Sequence, residues 1–251
     1  MKIRDILNWA KFLITVPKCV GCGEALDYGD RALCNNCLSE FAQTRTRSCS
    51  VCAKDLPECK CPNSELFKSG VRVLVKRGRY IAKDKESPLN KLIFSLKKDH
   101  RADVIGFAAS ELLASLKPYV KSLGEDSRVI FTFVPRRGKT RVKYGYDHSA
   151  LVAKYLAREL NCEYAPMFRS LAKKNQKSTV GMERRRNAVF KLKRIDHSLL
   201  KGSYIIIVDD IVTTGSSMAA CARLIRGARP KRIVGCTLGI AYKDESIPRF
   251  H

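Results

Sequence analysis

The chain has 251 residues, 45% of them apolar and 29% charged, which excludes wholesale disorder and leaves room for one sizeable core plus a small module. No apolar run reaches the ~18 residues of a membrane span, because Lys2, Arg4, Asp5 and Lys11 interrupt the segment from Met1 to Val16. That segment also lacks an apolar stretch followed by a small-residue cleavage site, so the expected compartment is the cytoplasm. The formal charge is +24, and its distribution is uneven: residues 1–66 hold 9 Lys/Arg and 8 Asp/Glu, residues 67–251 hold 39 and 16. An excess of this size predicts polyanionic company, nucleic acid or a phosphate-rich small molecule, with association that weakens in salt.

The opening segment carries Ile3, Ile6, Leu7, Ala10, Leu13 and Ile14 at helical spacing and reads as an amphipathic helix packed against its own protein. Eight of the eleven cysteines follow, as Cys19-x-x-Cys22, Cys34-x-x-Cys37, Cys49-x-x-Cys52 and Cys59-x-Cys61. A CxxC turn aims two thiolates at one point, and two such turns supply the four soft ligands of a closed tetrahedral Zn2+ site. One or two structural zinc ions are expected, with the first two pairs sharing one ion and the last two the other; the spacing leaves an interleaved pairing open. Gly21 and Gly23 let the backbone fold over the first metal. A disulfide framework is disfavoured because nothing signals secretion. Cys162, Cys221 and Cys236 stand singly in apolar contexts and read as buried structural thiols.

Beyond Cys61 short apolar strands alternate with amphipathic helices, which sets a domain boundary at residues 66/67. Val71, Val73 and Val75 alternate as a strand, and Leu89, Leu92, Ile93 and Leu96 mark a helix from Ser87 to Lys98. A second helix is expected from Asp103 to Tyr119, then a continuous apolar strand from Val129 to Val134. The run from Arg136 to Lys143 places five cations in eight residues after that strand, where an anion could be neutralised. Asp147 is expected to cap a helix whose stripe is Leu151, Tyr155 and Leu156. Residues 168–194 carry ten Lys/Arg and one acid; they read as a basic hood, with Gln176, Lys177, Arg185 and Arg186 as candidates for closing over an anion or lying along a nucleic acid. Strands from Tyr204 to Val208 and Arg232 to Leu238 flank a helix from Ser217 to Gly227. Continuous apolar strands separated by helices predict an α/β fold with a mainly parallel sheet, helices on both faces and ligands at the carboxyl ends of the strands.

One such strand end carries Ile205-Ile206-Ile207-Val208-Asp209-Asp210-Ile211-Val212-Thr213-Thr214-Gly215-Ser216-Ser217. Two carboxylates emerge from a buried strand, and a hydroxyl-rich turn leads straight into a helix. Backbone N–H groups of Thr214 to Ser217, with the hydroxyls and the positive helix end, form a phosphate cradle, and the carboxylates would meet the hydroxyls of a ribose. His148, next to the expected cap, reads as structural rather than as a base. Tyr144, Tyr146 and Tyr155 are the candidates for stacking on bases of single-stranded DNA, with core packing the alternative.

This block resembles the phosphoribosyl pyrophosphate (PRPP) motif of type I phosphoribosyltransferases. With the eight cysteines ahead of it, and with Val134-Pro135-Arg136-Arg137, Lys143-Tyr144-Gly145-Tyr146-Asp147-His148, Gln176, Arg185, Asn187 and Phe190, the chain is similar to the ComF family. That family places a double zinc ribbon ahead of a phosphoribosyltransferase domain and is associated with competence. The resemblance implies that Asp209 and Asp210 hold the ribose of PRPP and carry catalysis, and that Thr213, Thr214, Gly215, Ser216 and Ser217 hold its 5'-phosphate. It further implies that Arg136 and Arg137 meet the pyrophosphate and that Mg2+ accompanies it. Relatives acting on 6-oxopurines carry an aspartate where Thr213 stands, so purine salvage is disfavoured and the acceptor stays open. The resemblance implies a role in bacterial DNA uptake. Alternatives are a non-catalytic, PRPP-regulated protein binding single-stranded DNA, and a zinc-ribbon docking factor for a competence helicase.

Overall fold

The structure, a computed structural model, describes residues 16–27, 29, 31–44, 49, 51–98, 100–136, 145–171 and 190–241. The opening helix, Arg137, Tyr144 and the hood candidates Gln176, Lys177, Arg185 and Arg186 lie outside these. The apolar runs form β1 (Val71–Arg79), β2 (Val129–Phe133), β6 (Tyr204–Val212) and β7 (Arg232–Ile240), which with the short β3 (Glu163–Tyr164) make a five-stranded sheet in the order β1-β7-β6-β2-β3. Every pairing in it is parallel. The short β4 (Phe168–Ser170) and β5 (Phe190–Leu192) pair antiparallel beside it. Helices are α1 (Asn35–Gln43), α2 (Ser64–Lys68), α3 (Pro88–Lys98), α4 (Ala102–Lys121), α5 (His148–Glu159) and α6 (Ser216–Arg226).

Side chains alternate across a strand, and this sorts the core into two halves. Phe131, Ile206, Val208 and Val234 pack with α3, α4 and α5. Ile130, Ile205, Ile207 and Ile233 pack with α2 and α6 on the other face. The expected parallel sheet with helices on both faces is therefore present. Its strands run further than periodicity indicated: β6 continues to Val212 and β7 to Ile240, because backbone pairing such as Asp209 with Thr237 and Ile211 with Gly239 continues past the apolar run. No described helix is long and apolar enough to cross a membrane.

The Cys-rich segment straddles the β1 edge. Two consecutive β1 residues, Lys76 and Arg77, are fully buried, and alternation sends them to opposite faces. Lys76 donates Nζ to the carbonyl oxygens of Cys59 (3.2 Å), Cys61 (3.0 Å) and Leu74 (3.4 Å). Arg77 pairs with Glu111 of α4, donates to Thr44 Oγ1 (3.2 Å) and the Phe41 carbonyl (3.3 Å), and stands 4.4 Å from the Phe41 ring. A buried cation without partners is costly, so each of these fastens one half of the Cys-rich segment to its own face of the sheet.

Candidate functional site

Eight thiols gather in two sets, Cys19, Cys22, Cys34 and Cys37, and Cys49, Cys52, Cys59 and Cys61, with the sulfur atoms of each set within 4.8 Å of one another. The pairing is sequential, which excludes the interleaved arrangement. The leading turn of each set is built alike. Cys19 N–H donates to Glu24 O (2.7 Å) and Gly23 N–H to Cys19 O (2.9 Å); Cys49 N–H donates to Lys54 O (2.8 Å) and Ala53 N–H to Cys49 O (2.9 Å). The residue after the CxxC of each leading turn is left-handed, Gly23 at φ 82° and Ala53 at φ 56°. Gly21 serves space instead: a Cβ there would stand 2.5 Å from Cys37 Sγ.

Backbone N–H groups reach the sulfurs, Gly21 and Cys34 to Cys19 Sγ (3.3 Å each), Val51 to Cys49 Sγ (3.4 Å) and Cys61 to Cys59 Sγ (3.4 Å). Burial works against ionisation, but these donors outweigh it and lower Cys19 and Cys49 to about 7. Burial pushes Cys61 up to about 12 and Cys37 higher still. Four convergent thiols, one ready as thiolate, fit a closed Zn2+ site with no position left for substrate; either set could hold zinc. Of the single cysteines, Cys221 and Cys236 are buried as expected, and Cys162 is half-buried.

The second centre lies at the carboxyl end of β6. Asp209 and Asp210 sit inside the strand, so they project to opposite faces. Asp210 Oδ2 meets His148 Nε2 at 2.7 Å and Lys97 Nζ at 3.0 Å, while its Oδ1 accepts the Ile211 N–H at 2.6 Å. Burial would raise Asp210, but the His148 hydrogen bond and the Lys97 charge outweigh it and hold it down at about 2. Asp209 accepts the Asp210 N–H at 3.0 Å. Burial and then repulsion from Asp210 push it well above the usual carboxylate range. The pair thus comprises one fixed anion and one carboxylate whose ionisation is costly until a cation or donor arrives.

The strand then turns at Gly215, left-handed at φ 79°, into α6. The Thr214 hydroxyl donates to Ser216 Oγ (3.1 Å), and Thr213 and Ser217 flank the turn. The first N–H groups of α6 have no intrahelical acceptor, and that of Ser216 donates to Thr214 Oγ1 (3.4 Å), an arrangement that could receive an anion.

The neighbouring loop differs from expectation. Asp147 occupies the position ahead of α5 without a side-chain cap; its Oδ2 accepts the Arg136 N–H at 2.8 Å, so it ties β2's exit loop to α5. The Arg136 guanidinium donates to Lys97 O (3.0 Å) and lies 5.5 Å from the Tyr146 ring. Tyr146 donates its hydroxyl to Leu96 O (2.8 Å) and packs 4.7 Å from the His100 ring, contacts that fit the core-packing alternative. His148 is a partner of the acidic pair rather than merely structural. Lys97 was legible only as the end of an amphipathic helix, since nothing near it in sequence announces the carboxylate it meets.

Comparison with known proteins adds a second line. Residues 147–246 match the phosphoribosyl transferase domain. The match takes in α5, the acidic pair and the Gly215 turn. DNA utilization protein YhgH of Escherichia coli O157:H7 is 28% identical over 222 residues, covering 85% of this chain and 92% of that protein. The protein of the same name from Salmonella typhimurium is 27% identical over 208 residues, covering 77% and 90%. A solved hypoxanthine-guanine phosphoribosyltransferase of Bacillus anthracis is similar over 54% of this chain and 70% of its own at 19% identity and a TM-score of 0.38, too loose a superposition to bear on function.

Proposed function

We propose that this chain is a PRPP-binding, phosphoribosyltransferase-like protein of the ComF type that handles DNA in bacterial uptake or single-strand processing. Residues 1–66 form its zinc module and residues 67–251 its phosphoribosyltransferase-like part. The observation that carries the reading is the β6–α6 junction, where an acidic pair is followed at once by a left-handed glycine turn onto a helix start. The N–H groups and hydroxyls from Thr213 to Ser217 hold the 5'-phosphate, and Asp209 and Asp210 hold the ribose hydroxyls. Lys97 and His148 keep Asp210 ionised and oriented. Mg2+ would supply charge neutralisation for the pyrophosphate, and Asp209, costly to ionise in the free protein, would help hold that cation or a ribose hydroxyl. Arg136 holds the loop through Lys97 O and Asp147. Both zinc ions are structural.

Calorimetric titration of the zinc-loaded protein with PRPP and Mg2+ tests this. Saturable binding by the wild type and its absence in a folded Asp209→Asn, Asp210→Asn variant support the reading; equal behaviour of the two proteins refutes it.

A non-catalytic, nucleic-acid-binding reading has one observation in its favour. Lys201, Arg226, Arg229, Lys231 and Arg232 are exposed at the amino ends of β6 and β7, opposite the acidic pair, and Arg229 adopts a left-handed φ of 55° that an arginine adopts at a cost. Such a rim suits a phosphate backbone.

A further inference from the structure

The phosphate turn is not built by β6 and α6 alone. A Cβ placed on Gly215 would stand 2.9 Å from Leu66 Cγ, 3.1 Å from Asn63 Oδ1 and 3.2 Å from Asn63 Nδ2. Residues just beyond the second cysteine set are therefore pressed against the turn. Asn63 caps α2, its Oδ1 accepting the Leu66 N–H at 3.0 Å, and its amino group adds donors beside Gly215. Glu65 pairs with Arg223 of α6 at 3.1 Å, and Leu66 is fully buried in the α2–α6 half of the core.

The other end of this connector is the metal set itself. Asn63 follows Cys61 with only Pro62 between them, and proline fixes its own φ and restricts the residue before it. The carbonyls of Cys59 and Cys61 are held by buried Lys76, and Lys60 O accepts the Leu74 N–H at 2.9 Å. A shift of Cys61 therefore reaches Asn63 across a single, conformationally restricted residue.

We propose that Asn63 is a positioning residue of the phosphate turn, through which metal binding at Cys49, Cys52, Cys59 and Cys61 and phosphate binding at Thr214 to Ser217 reinforce each other. This rests on the ribose-phosphate reading above. Coupling of this kind is reciprocal: metal tightens the grip on phosphate, and phosphate holds the metal. Among the described residues the first cysteine set has no such direct route.

Asn63→Ser and Asn63→Ala separate capping from positioning, because serine supplies the capping oxygen but not the amino group. In the full zinc-loaded chain, both variants are expected to bind PRPP with Mg2+ about tenfold more weakly than wild type, a loss typical of one hydrogen-bonding group. Zinc extraction by a chelator gives the second readout, followed in a Cys22→Ser background so that the released ion comes from the second set. Saturating PRPP with Mg2+ is expected to slow that release several-fold, and Asn63→Ser to remove the slowing while zinc content is unchanged. If wild type binds PRPP yet zinc release ignores it, or if Asn63→Ser binds as wild type does while Asn63→Ala does not, Asn63 is a helix cap only and the proposal fails. If wild type binds no PRPP, the ribose-phosphate reading fails first and this one with it.

Discussion

The two cysteine sets are near copies in their leading turns and differ in what they touch. Each opens with the same pair of backbone hydrogen bonds and a left-handed residue after the second cysteine. Yet the first packs on the α3–α4 face and the second on the α2–α6 face. The second reaches the phosphate turn through Pro62 and Asn63. The first approaches the acidic pair by way of α3, where Lys91 donates to Gly21 O at 2.9 Å and Lys97, farther along the helix, meets Asp210. Two alike sets of thiols are thus joined to different parts of the fold, one to the helices over the α3–α4 face and the other to the turn at Gly215.

The largest effects should come from removing one metal at a time. Cys59→Ser and Cys22→Ser are each expected to lose one zinc per chain and several kcal/mol of stability, read by metal analysis and urea unfolding. Cys59→Ser should also weaken PRPP binding at least tenfold, whereas folded Cys22→Ser should stay within about twofold of wild type. The buried β1 cations divide the same way. Arg77→Met strands Glu111, 13% exposed, and should cost about 3–5 kcal/mol in denaturant unfolding without changing zinc affinity at the second set. Lys76→Met should instead lower that zinc affinity about 10–100-fold, the usual weight of a group supporting metal ligands, measured by chelator competition.

A smaller effect separates the two aspartates. In the free protein the raised Asp209 carboxyl holds a proton that the unfolded chain has lost between the ordinary carboxylate value and its own raised one, so stability falls as pH rises through that window. Asp209→Asn should therefore raise the thermal midpoint by a few degrees at pH 7, with the gain vanishing near pH 4. Asp210 carries the opposite sign: held at about 2, it contributes stability above the ordinary carboxylate value that is lost as pH falls toward 2. The smallest expected change is Ala53→Gly, which relieves a left-handed alanine and should stabilise by about 1 kcal/mol, while Gly23→Ala costs a similar amount. Equal and negligible effects at both positions would break the likeness of the two turns.

What the sequence made legible was what is contiguous along it. The cysteine spacing, the acidic pair and the Gly215 turn each lie within a few residues, so their geometry follows from local rules. Contacts that the fold creates were not legible. Lys97 and His148 meet Asp210 only because α3 and α5 cover the same face of β6. Asp147 looked like a helix cap, but the loop leaving β2 offered the Arg136 N–H as a stronger claimant. Asn63 carried no signal, since nothing in Cys61-Pro62-Asn63 predicts that Gly215 will arrive beside it. Strand ends were short by a few residues for the same reason: pairing with β7 extends β6 beyond its apolar run.

The central claim is that the β6–α6 junction holds a ribose phosphate, and a crystal structure of the zinc-loaded protein with PRPP and Mg2+ tests it most directly. The account predicts the 5'-phosphate on the N–H groups of Thr214 to Ser217, with the ribose hydroxyls at Asp209 and Asp210 and Asn63 still against Gly215. Ligand bound elsewhere with that turn empty would contradict it.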